Sequence, residues 1–338
     1  MDSFNSNSPP ASVAIIGAGI SGLACAIRLR QAGCRVVLFD KSRGVGGRVA
    51  LRRAQDGIEF DHGAQYFTVK DPRFEAVVAK WQEREVVVPW QGAIGSLEDG
   101  DWQPSTSEIV RYVGAPSMTS IPKYLAQDLQ VLLQSKVAAV KFDEATRQWH
   151  LLSERGGSMG EFAAVVVSTP VAQAVQLMPF WDELQAAAAR VVMAPCWTVL
   201  LAYSNSLGFP LDGAFVKNSP ISWIARNNSK PRRPALPECW VLHGSPAWSE
   251  EQIDLPSDEV VRGLRAAFWE ANRGKMESAI YTYVHRWRYA LPTETLPERC
   301  LFDARLNLGA CGDWCGGPRV EGAYLSGLEL AETMLQGS

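Results

Sequence analysis

The stretch SVAIIGAGISGLACAIRLRQAGCRVVLFD, residues 12–40, decides the fold. Ser12 to Ile16 is a β-branched apolar run that stops at Gly17, and Leu23 to Gln31 carries helix formers up to Gly33, a residue suited to a helix C-terminus. Arg35 to Phe39 is a second apolar run. Strand, glycine turn, helix and strand within about thirty residues predict one βαβ unit. The segment Gly17-Ala18-Gly19-Ile20-Ser21-Gly22 sits where G-x-G-x-x-G has a physical meaning, after a strand and opening a helix. Gly17 permits the tight turn, Gly19 lets a pyrophosphate approach the backbone, and Gly22 allows helix and strand to pack closely. Free N–H groups and the dipole at the helix N-terminus favour phosphate. Asp40, ending the second strand, is placed to accept hydrogen bonds from ribose hydroxyls.

Outward from this unit, Arg43-Gly44-Val45-Gly46-Gly47-Arg48 supplies two guanidinium groups and flexible backbone suited to a pyrophosphate. The spacing predicts a strand with a tight turn at Gly63 in Ile58–Thr68, a helix over Arg73–Arg84 and a hairpin region over Trp90–Ser107. A helix over Pro122–Leu133 and a small antiparallel sheet from Lys136–Phe142 and Gln148–Leu152 follow, then a strand at Ala163–Val167. Ser257–Ala271 reads as a helix, Leu306–Ala310 as a strand and Val320–Leu335 as a closing helix. The expected division is a discontinuous dinucleotide domain of 12–72, 123–175 and 299–338, a substrate domain of 73–122 and 176–298, and a disordered tail of 1–11.

Composition narrows the function. In 338 residues, 33 Lys+Arg against 36 Asp+Glu give a net charge of -3, which lacks the basic excess of a nucleic-acid binder and leaves small molecules as the expected partners. Seven scattered Cys, an odd number, do not make a disulfide framework, so a reducing, cytoplasmic setting is expected. Cys311 and Cys315 have neither CxxC spacing nor a second pair, and no metal is expected. The uncharged stretches Phe162–Trp181 and Val191–Leu211 contain Pro and polar side chains and read as buried segments rather than membrane spans. Twelve Trp fill a core or wall a flat aromatic ligand.

At the G-G-R run the sequence resembles the flavin-dependent amine oxidase superfamily, which implies FAD held in an extended conformation. Cys311-Gly312-Asp313 followed by Val320-Glu321-Gly322-Ala323 matches that superfamily's C-terminal flavin segment, whose helix dipole stabilises reduced flavin. Within it, Asp61-His62-Gly63-Ala64-Gln65-Tyr66-Phe67, His285-Arg286-Trp287-Arg288-Tyr289-Ala290 and the C-terminal segment most resemble the renalase family, particularly its bacterial members. The resemblance implies an α/β fold: a two-lobed, Rossmann-like FAD domain of the glutathione-reductase type with an inserted α+β substrate domain. It implies FAD contacts from Gly17, Gly19, Ile20, Ser21, Gly22, Asp40, Lys41, Arg43, Gly47 and Arg48. Ala64, Gln65, Tyr66, Val137, Thr169, Gly312, Asp313, Val320, Glu321 and Ala323 complete that set. No Cys lies in a flavin attachment pattern, so the FAD is expected to be non-covalent.

The activity so implied is oxidation of the 2- and 6-dihydro isomers of NAD(P)H to NAD(P)+, with O2 reduced to hydrogen peroxide. A misplaced dihydropyridine gains aromaticity when hydride leaves, so the protein must position the ring and needs no dedicated base. Trp287, Tyr289, Trp223 and His243 are the candidate walls, with Arg286 or Arg288 offered to a nucleotide phosphate. An amine or terpenoid oxidase or desaturase of the same superfamily is the alternative, and a non-catalytic flavoprotein the third reading. The flavin-facing lysine common in amine oxidases has no evident counterpart in the sequence, and a specific aromatic and cationic run has little use in an inactive descendant.

Overall fold

A computed structural model describes residues 11–337, the side chain of residue 56 excepted. Most of the expected tail, residues 1–10, lies outside the described residues; Ala11 is within them, and its carbonyl accepts from the Arg35 N–H. The chain forms two compact units.

The first unit comprises residues through Gly47, Ile121–Val192 and Pro292 onward. Its six-stranded sheet has the order Leu301–Asp303, Leu308–Ala310, Ala164–Val167, Ser12–Ile16, Arg35–Phe39, Gln130–Leu132. Ser12–Ile16 pairs in parallel with both neighbours, Ile16 standing beside Phe39 and Val167. Val13, Ala14 and Ile15, with Ala164, Val165 and Val166 on the adjacent strand, are fully buried, as parallel strands covered on both faces require. The helices Ile20–Gln31 and Arg319–Gln336 pack so closely that a Cβ on Gly327 would lie 2.0 Å from the Ser21 carbonyl oxygen. A separate antiparallel sheet joins Val137–Asp143, Gln148–Ser153 and Ser158–Phe162.

The predicted helix over Pro122–Leu133 is corrected. The helix covers Ser120–Ala126 only, and Gln130–Leu132 is a parallel edge strand beside Arg35–Phe39, with Leu38 opposite Val131. Free backbone groups along the sheet edge outweigh the helix propensity of Leu and Gln.

The second unit comprises Arg48–Ser120 and Met193–Leu291. Residues 48–72 therefore cluster here rather than with the dinucleotide segments. The cause is the hairpin Leu51–Arg53/Glu59–Asp61, whose Ile58 and Phe60 pack on Leu200, Ala202, Cys239 and Val241. A seven-stranded sheet runs Tyr281–Glu294, Val192–Tyr203, Glu238–Gly244, Ile221–Arg226, Gly213–Val216, Ile94–Glu98, Asp101–Pro104. Its opposite face packs Val199, Leu201, Trp240 and Leu242 against the helix Ser257–Ala271. The expected hairpin at 90–107 turns at Asp99 and Gly100, both at positive φ, as a tight hairpin turn demands. Val191–Leu211 resolves into the twelve-residue strand Val192–Tyr203, apolar because both faces are covered. Among the described residues no helix is long and apolar enough to cross a membrane.

Candidate active site

In the first unit the glycine loop has the form its spacing predicts. Gly17 sits at φ 111°, and a Cβ there would meet the Ser168 carbonyl oxygen at 2.6 Å. On Gly22 it would meet the Gly17 carbonyl oxygen at 2.2 Å, whereas on Gly19 it would meet nothing within 4 Å. The outer two glycines are thus demanded by the protein itself, and the central one leaves open space before the helix N-terminus. That helix has no side-chain cap, so its first-turn N–H groups are available to an anion. Gly46 N–H donates to the Ala18 carbonyl at 2.8 Å, bringing the Arg43–Gly47 loop beside the glycine turn. The set fits the pyrophosphate of a dinucleotide.

Asp40 is buried; one carboxylate oxygen accepts from Ala18 N–H at 2.8 Å and the other from Ser42 N–H at 2.7 Å. It therefore shapes the glycine loop, with lone pairs left for ribose hydroxyls. Ile20 and Ser21 are buried in the first helical turn. Arg43 is exposed, and the exposed Lys41 reaches the Gln173 side chain at 3.3 Å. Val137 opens the antiparallel sheet, buried. The Thr169 hydroxyl is buried without a hydrogen-bond partner, and its carbonyl accepts from Trp314 Nε1 at 3.1 Å. Gly312 N–H donates to the Ser326 hydroxyl at 2.9 Å, placing Asp313 at the end of the strand Leu308–Ala310. Val320, Glu321 and Ala323 lie in the first turns of the helix Arg319–Gln336, which also has no side-chain cap.

In the second unit, strand register builds an aromatic wall. His243 stands between Thr198 and Trp223 on adjacent strands, so the three side chains share one face of the sheet. The same face carries His285 and Trp287, whose rings lie 4.3 Å apart, and both approach the His62 ring, at 5.3 and 5.1 Å. The His62 carbonyl accepts from Trp287 Nε1 at 3.3 Å and from His243 Nε2 at 3.3 Å. His243 is thereby the Nε2–H tautomer. Burial pushes the His243 imidazole down to about 4; burial, with His285 nearby, does the same to His62. Both rings are neutral at pH 7. His62 Nδ1 and Trp223 Nε1 are buried without hydrogen-bond partners. Gly63 is required by close approach: a Cβ would meet the Arg48 carbonyl oxygen at 1.9 Å.

Strand alternation puts the half-buried Tyr289 on the side of Trp287, and Arg286 and Arg288 on the other. Arg286 donates to the Ile253 carbonyl at 2.6 Å and lies 5.3 Å from the Trp197 ring centroid; Arg288 is exposed. Neither arginine joins the wall. Trp223 instead gathers Tyr66 and Trp90, at 5.5 and 6.5 Å. Ala64 N–H donates to the Arg48 carbonyl at 3.0 Å. Gln65 is buried: its amide donates to the carbonyls of Asp61 and Gly63 and accepts from Lys230 at 3.1 Å.

Lys230 belongs to a charge cluster that the sequence reading missed. Its ammonium donates to Asp61 at 3.3 Å, and Arg233 donates to the same carboxylate oxygen at 2.6 Å, while Met118 N–H reaches the other at 2.8 Å. Burial by itself would raise the Asp61 carboxyl, but Lys230 and Arg233 outweigh it and hold the group below the usual carboxylate range. Burial pulls Lys230 down to about 8 against the opposing pull of Asp61. Through Gln65 the cluster fixes the 61–63 turn that presents the His62 carbonyl.

Residues 95–335 match the flavin containing amine oxidoreductase family, and residues 15–81 match the NAD(P)-binding Rossmann-like domain. The chain belongs to the flavin-containing amine oxidoreductase family. Its fold is α/β, with the Rossmann-like dinucleotide domain expected from residues 12–40. A stretch of 59 residues is 42% identical to a 4,4'-diapophytoene desaturase (4,4'-diaponeurosporene-forming) of Staphylococcus haemolyticus (strain JCSC1435), covering 18% of this chain and only 12% of that relative. Among solved structures, a candidate protoporphyrinogen oxidase from Exiguobacterium sp. 255-15 superposes with a TM-score of 0.76 at 13% identity, over 96% of this chain and 98% of that one. Cyclohexylamine oxidase from Brevibacterium oxydans IH-35A gives 0.72 at 13% identity, over 97% and 99%. At these identities the likeness shows the fold alone.

Proposed function

We propose that the chain is an FAD-dependent oxidase of the 2- and 6-dihydro isomers of NAD(P), the renalase-type reaction, and that its FAD is held non-covalently. The observation that carries this reading is the uncharged aromatic wall of Trp287, His62, His285 and His243, whose rings pack edge-on and tilted against one another. FAD, when bound, would supply the hydride acceptor and the route by which the electrons reach O2. The chain's own residues have two tasks. The paired donors of Trp287 and His243, tied to one carbonyl, fix the planes against which a dihydropyridine lies. Because losing hydride turns that ring into a pyridinium, imidazoles kept neutral by burial avoid repelling the new positive charge, and π-faces favour it. Hydride loss from the substrate needs no proton transfer, and the one proton that completes hydrogen peroxide comes from solvent in the oxygen half-reaction. The seven free thiols fit a cytoplasmic setting.

The second reading, oxidation of an amine or a desaturation, draws support from the family match and from the amine oxidases among the structural neighbours. Against an ammonium substrate stands Asp61, the carboxylate next to the wall, which is fully buried and already paired with Lys230 and Arg233. Aerobic incubation with each dihydronicotinamide isomer, normal NADH and a panel of amines separates the readings. The proposal requires one peroxide per NAD(P)+ from an isomer, and peroxide from an amine alone overturns it.

A further inference from the structure

We propose that Arg52 is the phosphate anchor of the substrate site, binding the phosphate of a nicotinamide nucleotide whose ring lies on His285 and Trp287. The inference rests on the dihydronicotinamide reading and gives it a cation that the HRWRYA run does not supply. Arg52 stands opposite Phe60 in the hairpin Leu51–Arg53/Glu59–Asp61, so the two share a face. Phe60 stacks on Tyr281, its ring centroid 5.8 Å away, and the Arg52 guanidinium carbon lies 4.0 Å from the Tyr283 centroid. Tyr281, Tyr283, His285 and Trp287 occupy alternate positions of one strand and therefore one face.

Arg52 thus sits at one end of an aromatic row that runs to Trp287. At ~3.3 Å per residue, Tyr283 is roughly 7 Å from His285 along the strand and roughly 13 Å from Trp287. A ribose-5′-phosphate reaches a comparable distance from its base. The Arg52 charge is felt at the row, where it helps to hold both His62 and His285 in their neutral forms after burial has done most. Arg52 forms no ion pair among the described residues, and its Nε is buried without a hydrogen-bond partner, whereas Arg286 is engaged on the other face and Arg288 is exposed there. The guanidinium also bonds the Tyr281 side chain, which raises its already high pKa, so it stays charged; stacked on one ring and holding one hydroxyl, it still has donors of its fork to offer a phosphate.

The test uses the FAD-loaded full chain with Arg52→Gln and Arg52→Lys. Flavin reduction is followed with 2- and 6-dihydro-NAD and with the corresponding dihydro isomers of N-methylnicotinamide, which carry no phosphate. ADP-ribose binding is measured by calorimetry. Arg52→Gln is expected to raise half-saturation for the dinucleotides and weaken ADP-ribose roughly tenfold to a hundredfold, with the saturating reduction rate and the phosphate-free substrates unchanged. Arg52→Lys, which keeps the charge without the fork, falls between. Unchanged dinucleotide and ADP-ribose affinity overturns the assignment, and so does equal weakening of phosphate-bearing and phosphate-free substrates. Should no isomer reduce the flavin of the parent protein, the dihydronicotinamide reading falls, and the ADP-ribose comparison still decides whether Arg52 binds phosphate.

Discussion

At the residue scale the best test of cofactor placement is Asp40, which is tied to Ala18 and Ser42 and is proposed to bind the ribose hydroxyls. Asp40→Ala removes a charge-assisted contact of about 1.5–3 kcal/mol and loosens the glycine turn, so FAD affinity should fall at least tenfold. Titration of apoprotein with FAD checks this, and unchanged affinity in a folded variant refutes the placement. The wall histidines make a pH prediction. His62 and His243 have folded values near 4 against about 6.5 for unfolded histidine. Between these limits the unfolded chain binds more protons, so stability should fall as pH drops from 6.5 towards 4. Urea midpoints should decrease over that window, and His243→Gln should flatten the slope. The glycine loop was legible because its demands are local. The Asp61–Lys230–Arg233 cluster was not, since Lys230 and Asp61 stand 169 positions apart and only the fold joins them.

At the scale of elements, the helices Ile20–Gln31 and Arg319–Gln336 meet through Gly327. Gly327→Ala must separate them, and overpacking of this kind costs typically about 1–3 kcal/mol; a thermal melt should show the loss, while Gly33→Ala would act through its positive φ instead. Elements whose signals are self-contained were read well: the helix Ser257–Ala271, and the hairpin expected in the turn-rich region 90–107. Gln130–Leu132 was misread because a three-residue edge strand has no periodicity of its own and exists only through pairing with Arg35–Phe39. The side that Trp287 faces was readable from alternation in HRWRYA; the company of His62 there was not, because it comes from a different segment.

At the scale of the whole molecule, a dinucleotide unit assembled from three separated segments and a second unit built on a seven-stranded sheet fit the flavin-containing amine oxidoreductase family. The cysteines give this scale its own prediction. Cys311 and Cys315 are fully buried in the first unit, and acid precipitation should release all of the yellow chromophore into the supernatant; flavin retained on the washed polypeptide would show a covalent link. The identity of the reductant separates the two readings. Anaerobic rapid mixing, following bound-flavin absorbance near its visible maximum, tests it most directly. Fast bleaching by a 2- or 6-dihydronicotinamide nucleotide is expected, with slow bleaching by normal NADH and by amines, and a slower reaction of the isomers in Trp287→Ala with FAD still bound. Faster bleaching by an amine or by normal NADH than by either isomer would contradict the dihydronicotinamide reading.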